Sequence, residues 1–354
     1  MTPYWVLFLV FAFTAQLSNE GSRQRPVVVF LAAGLILTIM IGLRLDVGGD
    51  WTAYDGIFRR LAGLKLATAL QSIEPAYALI NWGAANAGLE MWFVNLLCAC
   101  IFTYGFLIFC WDQPNPALAV LVGIPYLVIV VAMGYTRQGA ALGLVLAALT
   151  YYSRGSILRM AFSLAVAVMF HKSAIIVIPF IALASSRRRV LTVALLGVIA
   201  GLAYYLFVSA SLDRLVTNYV SARYSSSGAG IRIAMTLVPA TIYLLFWRRF
   251  SLDREQRRLW TSFSVAAFAA LLALLLTPSS TAVDRISLYL IPLQLFVLSR
   301  LPLAFSGGVN ASAALKFVVI FYSALVQFTW LNYAENSGAW IPYKNYLTDV
   351  EHYA

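Results

Sequence analysis

Runs such as VVVFLAAGLILTIMIGL (27–43) and MWFVNLLCACIFTYGFLIFCW (91–111) decide the solvent of this chain before anything else. A helix crossing the ~30 Å hydrocarbon core of a bilayer needs about 20 mostly apolar residues. Segments of that kind lie near 3–17, 26–43, 91–111, 117–134, 136–152, 190–210, 231–247, 259–277, 284–301 and 313–332. The sequence is 62% apolar and 11% charged, against roughly a quarter charged in a soluble domain. A globule of 354 residues cannot hide that much apolar surface from water, so the solvent is lipid. The expected fold is all-α, a polytopic transmembrane bundle forming one integral membrane domain over 1–354. The first segment, MTPYWVLFLVFAFTAQ, has no basic stretch before its apolar run and reads as an uncleaved helix.

Orientation follows from the basic loops, which face the cytoplasm. SRQR at 22–25, SRGSILR at 153–159, SRRRV at 186–190 and RRFSLDREQRR at 248–258 fit one alternation if both termini are outside. That assignment leaves 14 basic and 4 acidic residues inside, and 11 basic and 10 acidic outside. The outer elements are then the loops 44–90 and 211–230 and the tail 333–354. Segment 156–185 is a special case. As one helix it would put two basic loops on opposite sides. As two, each is short of the hydrocarbon core. A short pair turning at FHKS (170–173) is therefore expected, recessed below the outer surface. Including it, the bundle has about twelve helices. GAALG (139–143) and GVIAG (197–201) read as helix-packing motifs. Cys98, Cys100 and Cys110 share one apolar segment and read as packing residues.

The polar residues gather on the predicted outer face, although they are scattered through the chain. Arg44 and Asp50 follow the second helix: an anion-binding arginine with its orienting partner or a base, or else a snorkelling side chain and a solvated carboxylate. Glu74, before Pro75, is a general base, a sugar-hydroxyl acceptor or a helix-terminus charge. Arg137 sits at a tight turn with little loop to escape into, so it points into a cavity between helices. His171 lies at the recessed turn, either structural or in proton transfer. In the loop 213–230, Arg214, Tyr219, Arg223 and Tyr224 suit sugars and phosphates, or form an interfacial helix. Asp284 and Arg285 open a helix and could pair with each other. The tail WIPYKNY, with Tyr343, is an interface belt or a lid.

Other chemistry is missing. No Gly-rich phosphate loop, metal-ligand spacing or GxSxG elbow occurs in the sequence. Neither a metal nor another cofactor is expected. The basic residues form no continuous stripe, so no nucleic-acid partner is expected either.

GLRLDVGGDWTAYDGIF, IEPAYALINW, GYTRQGAALGL, MFHKSAIIVIPF and DRISLYLIPLQ occur in an order and spacing that resemble EpsG-like, Wzy-type exopolysaccharide polymerases. The resemblance runs from about residue 4 to the tail. It implies an inner-membrane glycosyltransferase, similar in architecture to GT-C enzymes. Such an enzyme polymerises oligosaccharide repeat units linked to undecaprenyl diphosphate, on the outer face of the membrane. Membrane lipid, and possible flippase and chain-length regulator proteins, are its implied partners. By motif, the resemblance carries over to Arg44, Asp50, Glu74, Arg137, His171, Asp284 and Arg285. Among these, His171, Glu74 and Asp50 compete as base, and Arg44, Arg137 and Arg285 as diphosphate clamp, with Arg223, Tyr224, Asp284 and Tyr343 as further substrate contacts. A ligase using the same donor and a lipid-linked sugar transporter are the alternatives.

Topology is directly measurable. Cysteines placed at Ser227 and Ser337 should react with an impermeant thiol reagent from outside, whereas one at Ser186 should stay protected. The reverse pattern overturns the orientation.

Overall fold

A computed structural model describes residues 1–18, 27–186, 188–207, 228–277, 280–305 and 307–349. The described residues are helical nearly throughout and contain no strand. The chain begins with α1 (Thr2–Leu17) and α2 (Val27–Gly42). Three shorter helices follow, α3 (Trp51–Ala62), α4 (Leu66–Ser72) and α5 (Pro75–Asn86). The outer loop expected at 44–90 is thus largely helical. Its polar residues break the hydrocarbon runs, and Pro75 supplies a helix start that needs no N–H partner.

Next come α6 (Met91–Trp111) and α7 (Pro116–Gly123), which runs into a π-helical segment at Ile124–Ala132. Then follow α8 (Thr136–Ser153) and α9 (Ile157–Phe170), a 3-10 turn at Lys172–Ile176, and α10 (Val177–Ala184). The expected break at 170–173 is therefore present, with His171 extended between the two helices. The bundle closes with α11 (Arg189–Phe207), α12 (Ala229–Phe246), α13 (Arg254–Leu276), α14 (Ser280–Ser287), α15 (Ile291–Phe305) and α16 (Val309–Tyr333).

Five of the described helical segments are long and apolar enough to cross a membrane alone: 91–111, 229–250, 254–276, 280–305 and 309–333. The figure of about twelve spanning helices is larger than this. Six further apolar helices have 10–17 residues, below the length a straight span needs. Buried apolar side chains from α1 to α16 form one continuous cluster.

The bundle has two distinct polar ends. α8 runs from Arg137 at one end to Arg154 at the other, and α6 from Asn95 to Trp111, next to Asp112. Arg154 grips Asp112 through two hydrogen bonds of 2.9 and 2.7 Å. At that end Glu255 accepts from the backbone N–H of Ser186. The opposite end holds Asp50, Glu74, Arg137 and His171. The start of α1 and the described part of the tail meet there too, because the Tyr4 hydroxyl donates to the Trp340 carbonyl at 2.8 Å.

The tightest crossing in the core is between α6 and α8. A Cβ on Gly105 would fall 1.8 Å from the Gly143 carbonyl oxygen, and one on Gly143 2.5 Å from the Cα of Phe102. GAALG therefore lets two backbones touch. GVIAG does not act this way: Gly197 and Gly201 face open space. Gly143→Ala should lower stability by about 1–3 kcal/mol, since overpacked backbone has no rotamer to yield. Gly197→Ala should leave it unchanged or slightly raised. Thermal unfolding in detergent checks both, and equal effects would refute the crossing.

Candidate functional site

The floor of the polar end is built on Arg44. Its side chain is 1% exposed. Its Nε donates to the Val47 carbonyl at 3.1 Å, Nη1 to the Ile41 carbonyl, and Nη2 to Thr136 Oγ1 at 2.7 Å and Asn95 Oδ1 at 3.4 Å. These partners come from the frayed end of α2, from α6 and from the start of α8. A helix end in lipid must satisfy its carbonyls within the protein, and Arg44 does so here. This corrects the expectation for Arg44: its bonds go to the protein, and Asp50 is not its partner.

The tail is strapped onto the same floor. Gly48 donates to the Ala339 carbonyl, Leu45 to Lys344, and Tyr346 to Leu43. Trp340 is buried, and its indole N–H donates at 2.7 Å to the Ile129 carbonyl in the π-helical segment. The Tyr343 hydroxyl donates to the Met40 carbonyl at 3.0 Å. The tail is thus clamped to the floor through buried Trp340 and Asn345 while much of it stays exposed, and the Tyr343 hydroxyl is committed to backbone. Gly48 has φ +113, and a Cβ there would meet the Met133 carbonyl oxygen at 2.5 Å. Only glycine fits that approach.

Above this floor sits an arginine–carboxylate pair. Arg137, in the first turn of α8, donates through Nη1 to Glu74 Oε2 at 2.6 Å. Both are mostly buried, 25% and 12% exposed. Tyr54 and Tyr77 lie 5.6 and 5.8 Å from the guanidinium carbon, with their ring faces toward it. Nε of Arg137 is buried with no hydrogen-bond partner. Arg137 is therefore held mostly buried between helices, and Glu74 orients it.

Asp50 precedes α3, and its carboxylate makes no cap bond to that helix. Burial pushes its carboxyl above the ordinary range, against the pull of Arg285 and then Arg137. Arg285 is exposed. Asp284 does not pair with it. Instead Arg232 grips Asp284 with two bonds of 2.6 and 2.7 Å, because their helices pack side by side. Gln138 ties this group to α8 by donating to the Arg285 carbonyl at 2.6 Å. The His171 ring lies 6.4 Å from that of Tyr289, whose buried hydroxyl has no partner. His171 Nδ1 accepts from the Ser173 N–H at 3.4 Å, which leaves Nε2 to carry the proton of the neutral ring.

The structure thus joins Asp50, Glu74, Arg137, His171, Asp284 and Arg285 at one end, and uses Arg44 and Tyr343 as framework. Arg223 and Tyr224 lie outside the described residues. Arg232 and Tyr289 were not legible as site residues. Both sit inside segments that read as apolar spans, and only Arg232, a charge in the first turn of such a helix, left a signal.

Arg44→Met should cost on the order of 3 kcal/mol, by stranding buried carbonyls, and should lower the yield of folded protein. Exposed Arg285→Ala should stay within about 0.5 kcal/mol of the parent. Thermal midpoints of the two variants test this. A stable Arg44→Met protein would contradict the framework role.

The EpsG family model matches residues 27–345, most of the chain. No curated protein and no solved structure matches.

Proposed function

We propose that this chain, which belongs to the EpsG family, is a membrane glycosyltransferase that polymerises undecaprenyl-diphosphate-linked oligosaccharide repeat units on the outer face of the inner membrane. Family membership supports a membrane protein of exopolysaccharide production. The observation that carries the finer reading is the meeting of a clamped arginine, Arg137, with a free, partly buried carboxylate, Asp50, and an exposed arginine, Arg285, at one end of the bundle.

In this reading the acceptor hydroxyl attacks the anomeric carbon of the donor glycan. The new bond forms between acceptor oxygen and anomeric carbon, the bond to the diphosphate oxygen breaks, and undecaprenyl diphosphate leaves with the electron pair. Arg137 and Arg285 stabilise the charge that grows on the leaving group, so cations of the protein do what a metal would otherwise do. Asp50 takes the acceptor proton. Glu74 suits that task less, because its carboxylate is already engaged by Arg137 at 2.6 Å. His171, with Nδ1 already accepting, suits donation of a hydrogen bond to substrate. Of the three residues that compete as base, Asp50 is thereby preferred.

A ligase would use the same geometry and differ only in its acceptor. A transporter fits less well, because α6 and α8 close backbone to backbone between the two polar ends.

Purified protein given lipid-linked repeat units should make polymer in excess chelator. Activity lost there and restored by Mg²⁺ would sink the metal-free reading. Arg137→Lys keeps the charge but loses the fork, and should slow transfer about a hundredfold. Asp50→Asn should cost about 10²–10⁴-fold and abolish the acid limb of the pH–rate profile. That limb arises as the rate falls when pH drops through the raised Asp50 pKa. An unchanged limb in Asp50→Asn would move the base elsewhere.

A further inference from the structure

A cleft separate from the Arg137–Glu74 pair opens between α12 and α16 at the same end of the bundle. Its volume is about 300 Å³, within the range of small-ligand sites. Three aromatic rings form its walls: Tyr126, Trp330 and Tyr333. Trp330 is fixed edge-on by Tyr126 at 6.0 Å and by the clamped Trp340 at 5.4 Å. Its indole N–H is buried and meets no acceptor. Tyr333 is 74% exposed and offers a ring face at the mouth. Thr329, Glu335 and Asn336 add hydrogen-bonding groups between the rings.

The charges select against a phosphate. Arg232 borders the cleft, but Asp284 already neutralises it through two hydrogen bonds. Glu335 would repel an anion. Three rings and the aliphatic walls of Ile231, Met235, Leu325 and Val326 suit the apolar faces of a sugar chain, and the amide, hydroxyl and carboxylate groups, with no surplus positive charge, suit its neutral hydroxyls. The Arg232–Asp284 pair also joins the cleft to the catalytic end, since the next residue, Arg285, is tied to α8 by Gln138. The cleft therefore lies beside the catalytic end.

We infer that the cleft between α12 and α16 is a subsite that holds the growing glycan of the donor beside the transfer site. This rests on the polymerase reading and adds to it a determinant of product length. A chain held after each transfer is extended again before it escapes, so weakening the cleft should shorten products.

The test uses full-length protein with exposed, fold-neutral substitutions: Tyr333→Ala with Asn336→Ala, and Tyr333→Phe as the ring-retaining control. Loss of one stacking ring corresponds to about a two- to tenfold weaker hold. In cells, mean polymer length should fall by a similar factor in the double variant, and Tyr333→Phe should restore most of it. In nanodiscs, oligosaccharides of one to three repeats, released by partial acid hydrolysis of the cell's own polymer, should bind the double variant correspondingly more weakly. Unchanged length and unchanged affinity in a protein that still polymerises would overturn the subsite alone. If the unaltered protein makes no polymer from lipid-linked units, the polymerase reading falls, and this inference falls with it.

Discussion

The guanidinium of Arg44 holds the polar end of the bundle together. It closes the carbonyls left open where α2 stops, and it reaches α6 through Asn95 and α8 through Thr136. Water is unavailable to do this at membrane depth, and each unsatisfied backbone group there costs several kcal/mol. Everything else at this end depends on the same constraint. The π-helical segment presents the Ile129 carbonyl to Trp340, and the tail pairs antiparallel with the strip after α2 through Arg44 and Asn345. Irregular backbone survives here because the protein satisfies it internally.

That framework explains why the site can be made of short, broken elements. Asp50, Glu74 and His171 all sit at helix boundaries, where a side chain can face a cavity without belonging to a continuous lipid-facing stripe. Arg137 stands one residue past Thr136, the partner of Arg44, so the residue that fixes the floor also fixes the base of the clamp. The two glycines after Asp46 serve geometry. Gly48 lets the chain pass against Met133, and a Cβ on Gly49 would just reach van der Waals contact with the Trp340 ring. Together they bring Asp50 over the turn that carries Arg137.

Much of this was legible in the sequence. Hydrophobic runs fix helix positions to within a few residues, as at 91–111, and the conflict between two basic loops located the break at His171. The gathering of polar residues at one end was also readable from loop alternation. What could not be read was pairing. Nothing in local pattern tells that Asp284 will choose Arg232, 52 residues away, over its neighbour Arg285. Nor does it tell that Arg44 will face its own helix end rather than a ligand. Partners of that kind are set by which helices pack together. Apolar length alone does not separate a crossing helix from a short buried one, so five described helices meet the length of a span and six apolar ones fall short of it.

The most direct measurement is a cryo-electron microscopy map of the protein in nanodiscs with a lipid-linked repeat unit bound. The account places the diphosphate beside Arg137 and Arg285, with the first sugar toward Asp50. Diphosphate density at the opposite end, near Arg154 and Arg188, or on the lipid-facing surface away from Arg137, would contradict it.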